Sequence, residues 1–153
     1  MVEPLIDQIG GERVLRALVE RFYDIIEQHP RGARIVQLHK RGHGMAHARA
    51  EQFNFLSGFM GGRRYYDEKH GHMDVKLMHA HVPVSAEDAE NWLLCMDQAL
   101  GDLGLEGPAV ERLRMTLRRV AMMLINDLGD WGEAPAAVTS STSVCSGTSI
   151  RRV

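Results

Sequence analysis

Apolar residues recur every three and four positions along most of this chain, the period of helices with one buried face. Between Gly11 and Gln28 the pattern runs Val14, Leu15, Leu18, Val19, Phe22, Ile25 and Ile26, with Tyr23 on the edge of that face. Gly10-Gly11 precedes the segment as a turn and His29-Pro30 ends it. Residues 31–38 predict a short helix with Ile35, Val36 and Leu38 inward. Residues 45–60 predict another, with Ala48, Gln52, Phe55, Leu56 and Phe59 near one face and Gly61-Gly62 as its stop. Ser85-Ala86-Glu87-Asp88 reads as a capping box opening a helix that carries Trp92, Leu93, Met96, Ala99 and Leu100. Pro108 suits the first turn of a last helix carrying Val110, Leu113, Leu117, Val120, Ala121 and Leu124.

No region alternates as a strand does, so the predicted class is all-α, with helices near 12–28, 31–38, 45–60, 85–101 and 108–127. These fit one domain over residues 1–130. Residues 131–153 are rich in Ser, Thr, Gly and Ala without a periodic face and are expected to be a disordered tail. The exception to the helical pattern is the link from Gly61 to Val84. Irregular links this long are uncommon in compact domains and are usually functional. This one holds four of the eight histidines: His70, His72, His79 and His81. Histidine is the commonest metal ligand and also holds haem iron.

Composition narrows the classes. The chain has 153 residues, 44% hydrophobic and 25% charged, which suits one soluble globular domain. A formal net charge of -2 gives no footprint for nucleic acid. No stretch approaches the roughly 20 apolar residues of a membrane-spanning helix. The N-terminal residues MVEPLIDQ do not read as a signal peptide. The two cysteines, Cys95 in a helical pattern and Cys145 in the polar tail, argue against a structural disulfide. The cytoplasm is the expected compartment. The nine methionines, Met115, Met122 and Met123 among them, read as core filler and not as iron ligands.

Several motifs stand in a telling order. Gly10-Gly11 precedes the first long helix, and Arg21-Phe22-Tyr23-Asp24 sits on it. Leu38-His39 follows the short helix. Gly61-Gly62, Tyr66 and Gly71-His72 precede His79, and Trp92-Leu93-Leu94-Cys95-Met96 comes after it. In this order and spacing, over roughly residues 5–128, the chain resembles the truncated globins, specifically the group II truncated haemoglobins. The resemblance implies a two-over-two helical sandwich around haem b, with His79 as the proximal iron ligand. There are departures. Met73 replaces the usual Pro after Gly-His, Met78 replaces a basic residue before the proximal histidine, and Ala80-His81-Val82 stands where Ala-Pro-Phe is common.

The resemblance places Tyr23, His39, Gln52 and Trp92 around the bound gas. Phenol, imidazole, amide and indole groups can each donate a hydrogen bond. Such a bond to the partly charged outer oxygen of O2 is worth roughly 1–3 kcal/mol, or roughly tenfold to a hundredfold slower escape. Phe55 and Leu56 would line the apolar floor, and core packing accounts for both equally well. Tyr66 and His72 belong to the glycine-rich region. His72 is expected to fix its loop, His70 to be solvated, and His81 to face away from His79, two residues off on a helix. Ala48, one turn before Gln52, would leave a ligand path. His47 lies about 100° further round the helix. Lys76, three residues before His79, would reach a haem propionate, and Arg63 is a weaker candidate for the same role.

The implied function is reversible binding of O2 and other diatomic gases at a five-coordinate, histidine-ligated iron, as an oxygen-binding or oxygen-transport globin. Redox, peroxidase-like or nitric-oxide-detoxifying chemistry with an electron-donating reductase is a further option, as is a monomer or a homodimer. The competing reading is a haem-free helical module binding zinc or copper through His70/His72 and His79/His81. No cysteine or acidic cluster in the sequence completes a tetrahedral set for it.

Overall fold

A computed structural model of the chain describes residues 3–126 and Leu128. The tail expected at 131–153 lies outside the described residues. The architecture among the described residues is all-helical: α1 (Leu5–Gln8), α2 (Glu12–Gln28), α3 (Ala33–Arg41), α4 (Met45–Phe59), α5 (Tyr65–His70), α6 (Val75–Met78), α7 (Ala86–Asp102) and α8 (Pro108–Met123). No described helix is long and apolar enough to cross a membrane.

The core forms where the apolar faces meet. Helix α2 packs against both α4 and α7, and α7 packs against α8. Leu15, Leu18, Val19, Phe22, Tyr23, Ile25 and Ile26 of α2 are buried, as the period predicts, although Tyr23 lies inside the face and not at its edge. From α7 come Leu93, Cys95, Met96, Ala99 and Leu100, and from α8 Val110, Leu113 and Leu117. The Ser85–Asp88 capping box is complete in both directions, at 3.0 Å each way. It satisfies two amides that would otherwise lack partners at the start of α7.

Two differences from the sequence pattern concern short elements. Helix α3 runs on to Arg41 and is entered through a single 3-10 turn, Pro30–Gly32. That turn passes so close to α2 that a Cβ on Gly32 would stand 2.1 Å from the Ile26 carbonyl oxygen. The 61–84 link contains two helices, α5 and α6. With six and four residues they are too short to display a period. Neither buries a residue. Gly71, at φ +80°, closes α5 in the left-handed region.

The face of α4 also differs from the pattern. Phe53, Leu56 and Ser57 are buried together with Ala48. Leu56 is therefore part of the protein's own core, at 2% exposure. Gln52, Phe55 and Phe59 are only half-buried, on the far side of the same helix. Helix α4 thus has one face covered by protein and a second, largely aromatic face that protein does not cover fully.

Candidate haem site

On the distal side the site is built from α2, α3, α4 and α7. The phenol of Tyr23 donates to Gln52 Oε1 at 3.2 Å, linking α2 to α4. The Tyr23 ring meets Phe22 edge-on at 4.8 Å between centroids, and Phe22 in turn lies 4.9 Å from Trp92. His39 approaches the Tyr23 ring edge-on at 5.7 Å. Burial raises the Tyr23 pKa, and the nearby Arg49 charge offsets this only in part, so the phenol stays protonated. The structure therefore brings Tyr23, His39, Gln52 and Trp92 into one neighbourhood.

His39 has a different role from the donor expected of it. Its Nδ1 lies 2.9 Å from the Ile35 carbonyl, one helical turn back. A carbonyl only accepts, so Nδ1 carries the proton. Burial pushes the His39 pKa down, the Ile35 bond pulls it up, and the charge of His79 lowers it again. The ring is then neutral, and its Nε2 is a bare lone pair. A neutral His39 in this tautomer cannot donate to a ligand. The same geometry recurs at His79, at the C-terminal end of α6. There Nδ1 donates to the Val75 carbonyl at 2.8 Å, which leaves Nε2 as a lone pair. His79 is close enough to His39 to act on it electrostatically.

The remaining histidines separate from His79. His70 is not freely solvated: its Nε2 pairs with Glu51 of α4 at 2.5 Å, and its ring stacks on Tyr66 at 4.2 Å. His72 Nδ1 accepts the Asp74 amide at 3.1 Å, within the loop between α5 and α6. His81 is exposed. His47 lies on the surface, 4.7 Å from His43 between ring centroids. Among the described residues no three of His, Cys, Asp and Glu come together as a metal site would need. The zinc or copper reading thus loses His70 to Glu51 and one nitrogen of His72 to a loop amide.

The other predicted positions divide in the same way. Tyr66 is half-buried and meets Phe55 edge-on at 5.8 Å, while Phe55 and Phe59 stack at 5.7 Å. Lys76 is exposed on α6. Arg63 is committed elsewhere: its guanidinium pairs with Glu68 at 3.0 Å and sits over the Tyr65 ring at 4.6 Å. Met73, in the family's Pro position, lies against α4, where a Cβ on Gly58 would stand 3.1 Å from its sulfur. A separate groove of about 170 Å3 between α7 and α8, lined by Leu93, Met96, Met115 and Leu117 with Asp97, Arg114 and Arg118, holds none of these residues.

A haem needs a neutral imidazole with a free nitrogen and a flat apolar surface beside it. His79 Nε2 supplies the first. The half-covered aromatics of α4 and the unburied apolar residues of α6, with Leu77 at 57% exposure, offer apolar surface for the second. The residues present fit the group.

Comparison with known proteins agrees with the geometry. The family profile of bacterial-like globins matches residues 4–126. The Group 2 truncated hemoglobin YjbI of Bacillus subtilis is 33% identical over 116 residues, which are 76% of this chain and 84% of that one. The chain belongs to the group II truncated haemoglobins. Among solved structures this globin resembles the group II 2-on-2 hemoglobin of Agrobacterium tumefaciens, with a TM-score of 0.74, 30% identity and coverage of 82% of this chain and 95% of that one. It also resembles the truncated oxygen-avid haemoglobin of Bacillus subtilis, with a TM-score of 0.72, 31% identity and coverage of 81% and 100%. The fold of this globin is accordingly the two-over-two helical sandwich. Family membership carries with it a haem cofactor and the binding of small diatomic ligands such as O2.

Sequence reasoning missed Arg49 and Glu51. Both flank the α4 positions singled out from the sequence, and both reach other helices. No periodic signal marks such residues. Their only trace in the sequence is a charged residue on the half-buried stretch of an amphipathic helix.

Proposed function

We propose that this globin binds O2 at a b-type haem held by His79 and retains it with donors from α4 and α7. The observation that carries this reading is the His79 tautomer: Nδ1–H is spent on the Val75 carbonyl at 2.8 Å, so Nε2 is left as a lone pair. A backbone carbonyl on the second nitrogen also raises the basicity of the ligating one and fixes the ring's orientation. When bound, haem would supply the iron at which a diatomic gas binds.

The chain's own residues then decide how long the gas stays. Tyr23 spends its proton on Gln52 Oε1. This turns the Gln52 amide so that its two N–H donors are available to the ligand. The Trp92 indole N–H is the second donor, with its ring braced by Phe22. His39 contributes an acceptor and no donor, and its contact with Tyr23 is the edge-on packing of the two rings. Lys76 on exposed α6 is the candidate for a propionate contact, and the stacked pair Phe55–Phe59 is the candidate for the apolar wall. A relative described as oxygen-avid supports the same direction, since two donors favour retention over bulk transport. Slow release in turn favours redox chemistry, peroxidase-like or nitric-oxide-detoxifying, fed by an electron-donating reductase.

Titration of the haem-free protein with haemin tests the reading. The expected result is a sharp Soret band at one haem per chain, and a distinct second spectrum when the reduced protein meets O2. A protein that takes up no haemin overturns it.

A further inference from the structure

Arg49 stands on α4, one residue after Ala48 and three before Gln52. Its guanidinium reaches across to α2 and is only 21% exposed. One terminal nitrogen donates to the Glu20 carboxylate and to the Glu20 carbonyl, the latter at 3.2 Å. The other donates to Asp24 at 2.9 Å and to Glu27 at 2.8 Å. The three acidic residues lie at i, i+4 and i+7 on α2, so they form one stripe along that helix. Tyr23 borders the stripe, and the guanidinium carbon stands 5.8 Å from its ring centroid. The same cation is therefore tied to the turn of α2 that carries Tyr23 and stands one turn from Gln52 on α4.

An isolated exposed ion pair holds two helices together only weakly. This arrangement is different in kind. A planar fork meets four oxygen acceptors at once, and without the cation the three carboxylates would repel one another. At this level one planar guanidinium bridges α2 and α4, beside the packing of their apolar faces. We propose that Arg49 is a positioning residue: it fixes the separation of Tyr23 and Gln52 and so aims the Gln52 amide at the ligand. This rests on the reading above that Gln52 faces the bound gas.

The test uses the full chain and the variants Arg49→Lys, Arg49→Gln, Gln52→Leu and Arg49→Gln/Gln52→Leu. The C–O stretching frequency of the haem-loaded, reduced protein under carbon monoxide reports the donors that face the ligand. In the haem-free protein, amide hydrogen exchange over residues 48–53 reports the clamp directly. Both Arg49 variants should speed that exchange and move the C–O band toward its position in Gln52→Leu. O2 dissociation should rise roughly tenfold in each, about the loss of one hydrogen bond. The double variant should match Gln52→Leu alone. Lysine keeps the charge but not the fork, so a role confined to stability would be rescued by Arg49→Lys with no movement of the band. A wild-type band in either Arg49 variant while Gln52→Leu moves it overturns the positioning role alone. An unmoved band in Gln52→Leu overturns the reading of the distal pocket, and the positioning role with it.

Discussion

The hydroxyl of Tyr23 donates to the amide oxygen of Gln52 over 3.2 Å, which leaves the Gln52 NH2 as the donor end of that pair. A phenol has a single proton. With that proton on Oε1, the proposed pocket has Tyr23 act on a ligand through Gln52 and not beside it.

Tyr23→Phe should therefore speed O2 dissociation by releasing Gln52, roughly tenfold by the loss of one such bond. The effect should nearly vanish in a Gln52→Leu background. Trp92→Phe should add to it, because the indole N–H is an independent donor. Stopped-flow dissociation rates check this, and an unchanged rate in Tyr23→Phe/Trp92→Phe would remove both residues from the site.

His79 and His81 should behave oppositely. His79→Ala should abolish the native Soret band or shift it, whereas exposed His81→Ala should leave it intact. Spectra of the two variants after haemin addition decide the matter. Loss of the band in His81→Ala alone would put the ligand two residues further along.

The two faces of α4 predict a split between stability and cofactor retention. Phe53 is 4% exposed and packs inside the core, so Phe53→Ala should cost about 3–5 kcal/mol of folding stability even without haem. Half-buried Phe55→Ala should cost the haem-free protein much less, yet speed haem loss to an acceptor protein. Urea unfolding and a haem-transfer assay measure the two effects. Equal stability losses would mean that both faces are covered by protein.

Glu51 gives a dependence on pH. Burial pushes its pKa up, but hydrogen bonds from His70, Asn54 and Lys69 outweigh this and hold it below the ordinary 4.5. A depressed carboxylate stabilises the fold above its unfolded value and loses that contribution as pH falls through the folded value. The melting temperature of the wild type should exceed that of Glu51→Gln at neutral pH. The gap should close below about 4.5, where the unfolded carboxylate starts to hold its proton. A gap that widens on acidification would contradict this sign.

Gly32→Ala should be among the most destabilising single-methyl changes in the chain. The added Cβ would meet backbone, the Ile26 carbonyl, at 2.1 Å, and backbone cannot swing aside as a side chain does. Thermal unfolding followed by circular dichroism is the check.

Much of this could be read from the residues in order. The period of α2 named its core except at Val14, which is only partly buried, and Tyr23, which is fully buried, and the Ser85–Asp88 capping box marked the start of α7. Glycines and prolines marked where helices stop, and the resemblance to the truncated globins collected Tyr23, His39, Gln52, His79 and Trp92 as the candidate site. Helices α1, α5 and α6 escaped notice because one turn or two cannot display a period of 3.6. Arg49 escaped because its partners on α2 lie 22 to 29 residues away and carry no pattern that points to it.

Helix periods, caps and stops depend on a few neighbouring residues, so the amino-acid sequence by itself determined the long helices and most of the buried face of α2. Which proton each candidate-site residue keeps was decided only by the tertiary structure. The Ile35 carbonyl takes the one N–H of His39, and the Tyr23 hydroxyl takes the Gln52 oxygen and leaves its NH2 as the donor end. A hydrogen-bonding side chain has no fixed direction until its partners stand in place, and those partners are brought together by the packing of α2, α3 and α4.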